Sequence, residues 1–141
     1  MKLIIGLGNV GKKYHYTRHN VAWLALDELA KGTWSDKSSK FRAYTAEIEL
    51  AGQKCILAKP TTMMNDSGRA AAALKQFYKL DNDDIVVIHD ELDILFGSVK
   101  TKQGGSNRTH NGLDSVSANI GNDYQRIRIG IDVQPRPIPE P

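Results

Sequence analysis

Residues 2–20 read KLIIGLGNVGKKYHYTRHN, a short apolar run, LIIGL, followed by glycines and a polar stretch. A run without polar alternation, closed by glycine, is the pattern of a strand covered on both faces. The next segment, NVAWLALDELA (20–30), changes period. Ala22, Ala25, Leu26 and Leu29 fall at helical spacing, with Asp27 and Glu28 on another face, and Gly32 ends the helix. Strand, glycine turn and helix in that order open an α/β fold.

The rest of the chain repeats the alternation. FRAYTAEIEL (41–50) and QKCILAKP (53–60) read as two strands joined by a tight turn at Ala51-Gly52, and Pro60 stops the second. Residues 33–40 between helix and strand read as an exposed loop. In TTMMNDSGRAAAALKQFYKL (61–80), Asp66 or Ser67 is placed to cap a helix with Leu74, Phe77 and Tyr78 as its main apolar stripe. IVVIHD (85–90) is a second continuous apolar strand, ending in His89 and Asp90. TKQGGSNRTHNG (101–112) reads as a glycine-rich loop, Leu113–Ile120 as a helix with Leu113, Val116 and Ile120 inward, and RIRIGI (126–131) as another strand. These elements predict a single-domain, three-layer α/β sandwich over residues 1–131, with a mixed, partly parallel twisted sheet. DVQPRPIPEP (132–141) holds four of the five prolines and reads as an extended tail.

With 141 residues and 40% hydrophobic content, the chain suits one domain with its own core. Nineteen basic against sixteen acidic residues give a net charge of +3, and the pI is about 9.0, a mild excess compatible with a polyanionic partner. Cys55 is the only cysteine, so no intrachain disulfide forms, and its place in the run CILA reads as an inert core thiol. The opening residues do not fit a signal peptide and no apolar stretch is long enough for a membrane span, so a cytoplasmic protein is expected.

Gly6, Gly8 and Gly11 match G-x-G-x-x-G, the dinucleotide-binding turn. That site also requires an acidic residue at the end of a second strand, about 20 positions on. Asp27 and Glu28 fall at that distance but inside the amphipathic helix. The glycines then serve a structural turn, and the side chains around it carry the interest. Asn9 follows the first strand, His19 stands at the mouth of the helix, His89 and Asp90 end another strand, and His110-Asn111 lies in the glycine-rich loop. A histidine near a helix start is commonly structural. Paired with a strand-end aspartate that fixes its tautomer, His19 becomes a candidate general base. The histidine spacings match no zinc pattern and no G-x-S-x-G elbow is present, so no metal site or cofactor is expected and water is the expected nucleophile.

Taken together, GLGNVGKKYHYTRHN (6–20), KPTTMMNDSG (59–68), VIHDELD (87–93), GGSNRTHNGLDS (104–115) and RIRIG (126–130) resemble the bacterial-type peptidyl-tRNA hydrolase family, in the family's order and across nearly the whole chain. The resemblance implies a metal-independent esterase that releases the peptide from peptidyl-tRNA. It implies that His19 activates water, that Asp90 orients it, and that Asn9, Asn65 and Asn111 hydrogen-bond the ester, the peptide backbone and the water. Tyr14 and Met64 resemble pocket-lining side chains. Lys102 and Arg128 match positions that clamp a tRNA phosphate, a contact that supplies affinity without base readout. Plainer roles stand beside these: core filling for Met63 and Met64, a local cap for Asn65, a solvated surface for the basic residues.

The chain departs from the family in three places. Val10 stands where the family has proline, SNRT (106–109) replaces a more glycine-rich stretch, and the family continues beyond RIRIG with a lid-like segment and a helix. These departures motivate a second reading, a catalytically weak RNA-binding or RNA-processing accessory protein. The full His/Asp/Asn set favours the enzyme, acting on peptidyl-tRNA as a monomer with no obligate protein partner and no membrane.

Overall fold

A computed structural model describes residues 1–8, 20–35, 41–107 and 110–132. Its elements are β1 (Lys2–Gly6), α1 (Val21–Ala30), β2 (Ala43–Leu50), β3 (Gln53–Pro60), α2 (Ser67–Tyr78), β4 (Ile85–Leu95), β5 (Val99–Gln103), α3 (Asn111–Ile120) and β6 (Gln125–Asp132). The six strands form one sheet in the order β2-β3-β1-β4-β6-β5. β3, β1, β4 and β6 run parallel, and β2 and β5 close the two edges antiparallel. RIRIGI is thus an interior strand.

The sheet lies between two helical layers. Leu3, Ile5 and Leu7 pack toward α2 and α3 with Ile56, Ala58, Ile85 and Val87, whereas Ile4 joins Leu57 and Ile88 against Ala22, Leu26 and Ala30 of α1. Both faces of β1 are therefore covered, which is why KLIIGLG shows no polar alternation. Gly6 and Gly8 let α1 approach. A Cβ on Gly6 would stand 2.7 Å from Leu26 Cδ1, and one on Gly8 would stand 2.6 Å from Trp23 Nε1. Trp23 uses the closeness to donate from Nε1 to the Gly6 carbonyl at 2.8 Å. Gly11 falls outside the described residues.

Asp27 is a structural tie. Its Oδ1 accepts from Lys59 Nζ at 2.8 Å and from Trp34 Nε1 at 2.9 Å, and the Lys59 ammonium sits 4.4 Å from the Trp34 ring centroid and 5.4 Å from that of Trp23. A cation held between a carboxylate and aromatic faces fastens α1 to β3. Trp34 is accordingly half-buried rather than part of a solvated loop.

At the β2–β3 hairpin, Ala51 and Gly52 take φ values of 50° and 79°, the positive-φ pair that matches the strands' twist. On the other side, α2 and α3 pack through small residues. Gly68 N donates to Ser115 Oγ at 2.8 Å, and a Cβ on Gly68 would lie 2.1 Å from the Ser115 carbonyl oxygen.

Several expectations are corrected. Leu29 is exposed, and the buried stripe of α1 is Ala22, Trp23, Leu26 and Ala30. Phe77 is exposed too; α2 buries Gly68, Ala70, Ala71 and Leu74, because close contact with α3 rewards small side chains. β4 does not end at Asp90 but continues to Leu95, with an irregularity in its pairing to β6 between Glu91 and Leu95. Thr101, Lys102 and Gln103 belong to β5 rather than to the loop. α3 begins at Asn111, two residues before Leu113. Among the described residues no helix is long and apolar enough to cross a membrane. Asp132, expected to begin the tail, ends β6 instead, and the rest of the expected tail, residues 133–141, lies outside the described residues.

Candidate functional site

β1 and β4 are adjacent and parallel, and their last pair joins Gly6 to Ile88. Beyond β1 the chain proceeds to β2 and β3 on one side of the sheet; beyond β4 it proceeds to β5 and β6 on the other. The shared carboxyl end is therefore a switch point, where diverging connections open a crevice. Leu7 leads into it from one strand, His89 and Asp90 from the other.

Asp90 is 7% exposed, and its Oδ1 lies 2.7 Å from His110 Nε2. His110 is the residue that caps α3. Its Nδ1 accepts the backbone N–H groups of Gly112 at 3.1 Å and Leu113 at 3.3 Å, two of the donors a helix start leaves unpaired. A ring nitrogen that accepts carries no proton, so the bonding pattern assigns the proton to Nε2, which donates to Asp90.

His89 is buried beside them. Its Nδ1–H donates to the Asp90 carbonyl at 2.9 Å, its ring meets that of His110 edge-on at 5.3 Å, and its Nε2 is buried with no hydrogen-bond partner. Desolvation pushes its pKa down from 6.5 to about 4, against the Asp90 carbonyl, which favours the proton; the nearby His110 adds to the lowering. His89 is therefore neutral at neutral pH and too weak a base to collect a proton there.

Gly112 marks where the segments meet. A Cβ at that position would lie 2.7 Å from Met64 Sδ, 2.9 Å from Leu7 Cδ1 and 3.1 Å from His110 Cε1. The single turn Met64–Asp66 packs against α3, so Met64 and its exposed neighbour Asn65 stand beside His110 and the exposed Asn111. Asn65 does not cap α2. Asp66 holds the cap position without a side-chain bond, and Ser67 Oγ donates back to the Met64 carbonyl at 2.8 Å. Met63 is 77% exposed and fills no core, whereas Met64 packs against the α2–α3 layer. Asn9, Tyr14 and His19 lie outside the described residues.

The basic pair takes its geometry from β5 and β6. Lys100 lies opposite Arg128 and Lys102 opposite Arg126. Ile127 and Ile129 pack on the α1 layer, so the alternating Arg126 and Arg128, with both lysines across from them, face the α3 side. Lys102 folds over the glycine-rich loop; a Cβ on Gly105 would sit 2.3 Å from its Cε. Arg128 is partly buried, with its Nε unpartnered. Arg126 is almost fully buried. It donates to the Ser106 carbonyl at 3.1 Å, the Gly105 carbonyl at 3.3 Å and Asn122 Oδ1, and lies 4.8 Å from the Tyr124 ring. Sequence reasoning passed over Arg126 and the two-sided bonding of His110. The available signals were an arginine inside an apolar strand and a histidine immediately before a helix.

Comparison with known proteins places this arrangement. Residues 3–139 match the family described as peptidyl-tRNA hydrolase. The chain is 48% identical over 132 residues to a peptidyl-tRNA hydrolase of Methylocella silvestris, covering 93% of this chain and 67% of the relative. It is 50% identical over 133 residues to one of Aliarcobacter butzleri, covering 93% and 70%. A crystal structure of peptidyl-tRNA hydrolase from Acinetobacter baumannii superposes with a TM-score of 0.87 at 35% identity, over 94% of this chain and 68% of that one. The chain belongs to the peptidyl-tRNA hydrolase family.

Proposed function

We propose that the crevice between β1 and β4 hydrolyses the ester joining a peptidyl group to tRNA, with His19 as the base that activates water. The reaction class follows from the family; the assignment of residues is ours. The observation that carries it is the state of the other histidines. Of the four in the chain, His89 is neutralised by burial and His110 spends its acceptor nitrogen on the first turn of α3. Neither is available to take a proton from water, which leaves the segment containing His15 and His19, and His19 is the one at the mouth of α1 in the family's motif.

In this scheme Asp90 supports the imidazolium as His19 removes a proton from water and the hydroxide attacks the ester carbonyl. Neutral amides on Asn9, Asn65 and Asn111 donate to the charge that develops on the carbonyl oxygen and to the peptide backbone, without cancelling the base. Collapse of the tetrahedral species expels the ribose oxygen of tRNA, which takes the proton back from His19. The products are a peptide carboxylate and tRNA with a free hydroxyl. Water and histidine suffice, so the scheme uses no metal or cofactor. Tyr14 and Met64 line the pocket. Lys102 and Arg128 clamp a tRNA phosphate, a role supported by Lys100, Lys102 and Arg128 sharing one face of β5 and β6. Like charges directly opposite one another, as Lys100 and Arg128 are, destabilise a sheet, and a bound phosphate would offset that cost. The same reading makes the α/β fold through Asp132 the catalytic domain, acting as a cytoplasmic monomer.

The test is hydrolysis of peptidyl-tRNA by the 141-residue chain beside His19→Ala. Loss of the base is expected to lower kcat by about 10²–10⁴-fold with the fold intact. Equal turnover by both proteins would remove His19 from the mechanism, and RNA binding with no wild-type turnover would favour an accessory role.

A further inference from the structure

We propose that His110 is a positioning residue for Asp90, coupling the start of α3 to the catalytic carboxylate. The proposal rests on the reading above that Asp90 serves the reaction. Two backbone N–H groups hold the His110 ring at Nδ1, and Nε2–H holds Asp90 Oδ1 at 2.7 Å. Ring and carboxylate are thereby locked together, which fixes rotation of the carboxylate and keeps Oδ2 in one direction. The helix start also selects the chemical form of the donor. An imidazole that accepts two amide protons at Nδ1 has only its Nε2–H to donate. Asp90 is therefore gripped by a neutral N–H. A lysine or arginine in its place would grip equally well but would cancel the negative charge that the catalytic base needs.

Capping and positioning separate cleanly by substitution. Serine at position 110 keeps a good cap acceptor but is too short to reach Asp90. In peptidyl-tRNA hydrolysis, His110→Ser is expected to lower kcat by about 10–100-fold, the scale seen when the partner that orients a functional ligand is removed, with KM held within about twofold. In an Asp90→Asn background, His110→Ser is expected to cost nothing more, because a residue acting only through Asp90 has nothing left to act on. Fully additive losses, or a rise in KM at unchanged kcat, would overturn the proposal. Imidazole ¹⁵N spectra give a readout independent of activity. His110 is expected to show an unprotonated Nδ1 and a protonated Nε2 whose signal moves in Asp90→Asn. A proton on Nδ1, or a signal blind to Asp90, would also overturn it. Wild-type protein without turnover would refute the proposed function, while these spectra would still decide the His110–Asp90 coupling.

Discussion

His89 makes the fold sensitive to acid, and its contribution can be isolated. Burial lowers its pKa from 6.5 to about 4, so between those values the unfolded chain binds a proton that the folded chain refuses. Where the unfolded state binds more protons, stability rises with pH. The contribution is complete above about pH 6.5 and is lost as the pH falls through about 4. A shift of this size corresponds to about 3 kcal/mol at full protonation, most of which develops between about pH 7.5 and about pH 4.5. His89→Gln removes the titration but leaves a neutral polar side chain. It loses the bond from Nδ1 to the Asp90 carbonyl, a pH-independent offset of about 1–2 kcal/mol. Urea unfolding of both proteins across this range, at constant ionic strength, gives the difference directly, and titrating groups remote from His89 cancel. The expected result is a wild-type advantage at neutral pH that shrinks and then reverses on acidification. A difference that stays flat across the window would refute the argument that His89 is held neutral by burial.

Three further outcomes follow from the packing. Gly68→Ala forces a methyl group against the Ser115 carbonyl, and separating α2 from α3 is expected to cost about 1–3 kcal/mol, read as a lowered Tm. Arg126→Leu leaves the Gly105 and Ser106 carbonyls without their donors; a loss of about 2–4 kcal/mol is expected, with faster protease cleavage near residues 104–107 in a time course. Lys102→Gln and Arg128→Gln are each expected to raise KM for peptidyl-tRNA and to reduce the slope of log affinity against log salt by about one unit, while leaving kcat nearly unchanged.

The layers of the fold were legible because β1, β3, β4 and the two layers of helices leave plain apolar signatures. KLIIGLG reads as a doubly covered strand, and Ala51-Gly52 announces its hairpin. β5 left no such mark. VKTKQ is an edge strand with exposed Val99 and no buried stripe, so its pairing with β6 depends on a partner more than 20 residues away. In α2 the apolar stripe locates Leu74 in the core, yet Phe77 is exposed and the helix meets α3 through Gly68, Ala70 and Ala71, where closeness rather than bulk sets the contact. The site divides in the same way. Asp90 stands out in the sequence as the polar close of an apolar run, and Met64 as part of its motif. The bond from His110 to Asp90 was not, since the two are 20 residues apart and a single ring serves both a helix cap and a carboxylate.

The clasp around Lys59 also gives the molecule an optical reporter. The chain has two tryptophans, and both lie along that clasp: Trp23 is bonded to the Gly6 carbonyl at the end of β1, and Trp34 is bonded to Asp27 just beyond α1. Their emission therefore arises from one side of the sheet and reports how α1 seats against β1 and β3. Trp23, against Gly6 and Gly8, reports on the end of β1 without any attached dye. Unlabelled RNA titrated into the intact chain would reveal, through a change in that emission, whether occupying the crevice shifts the helix that borders it.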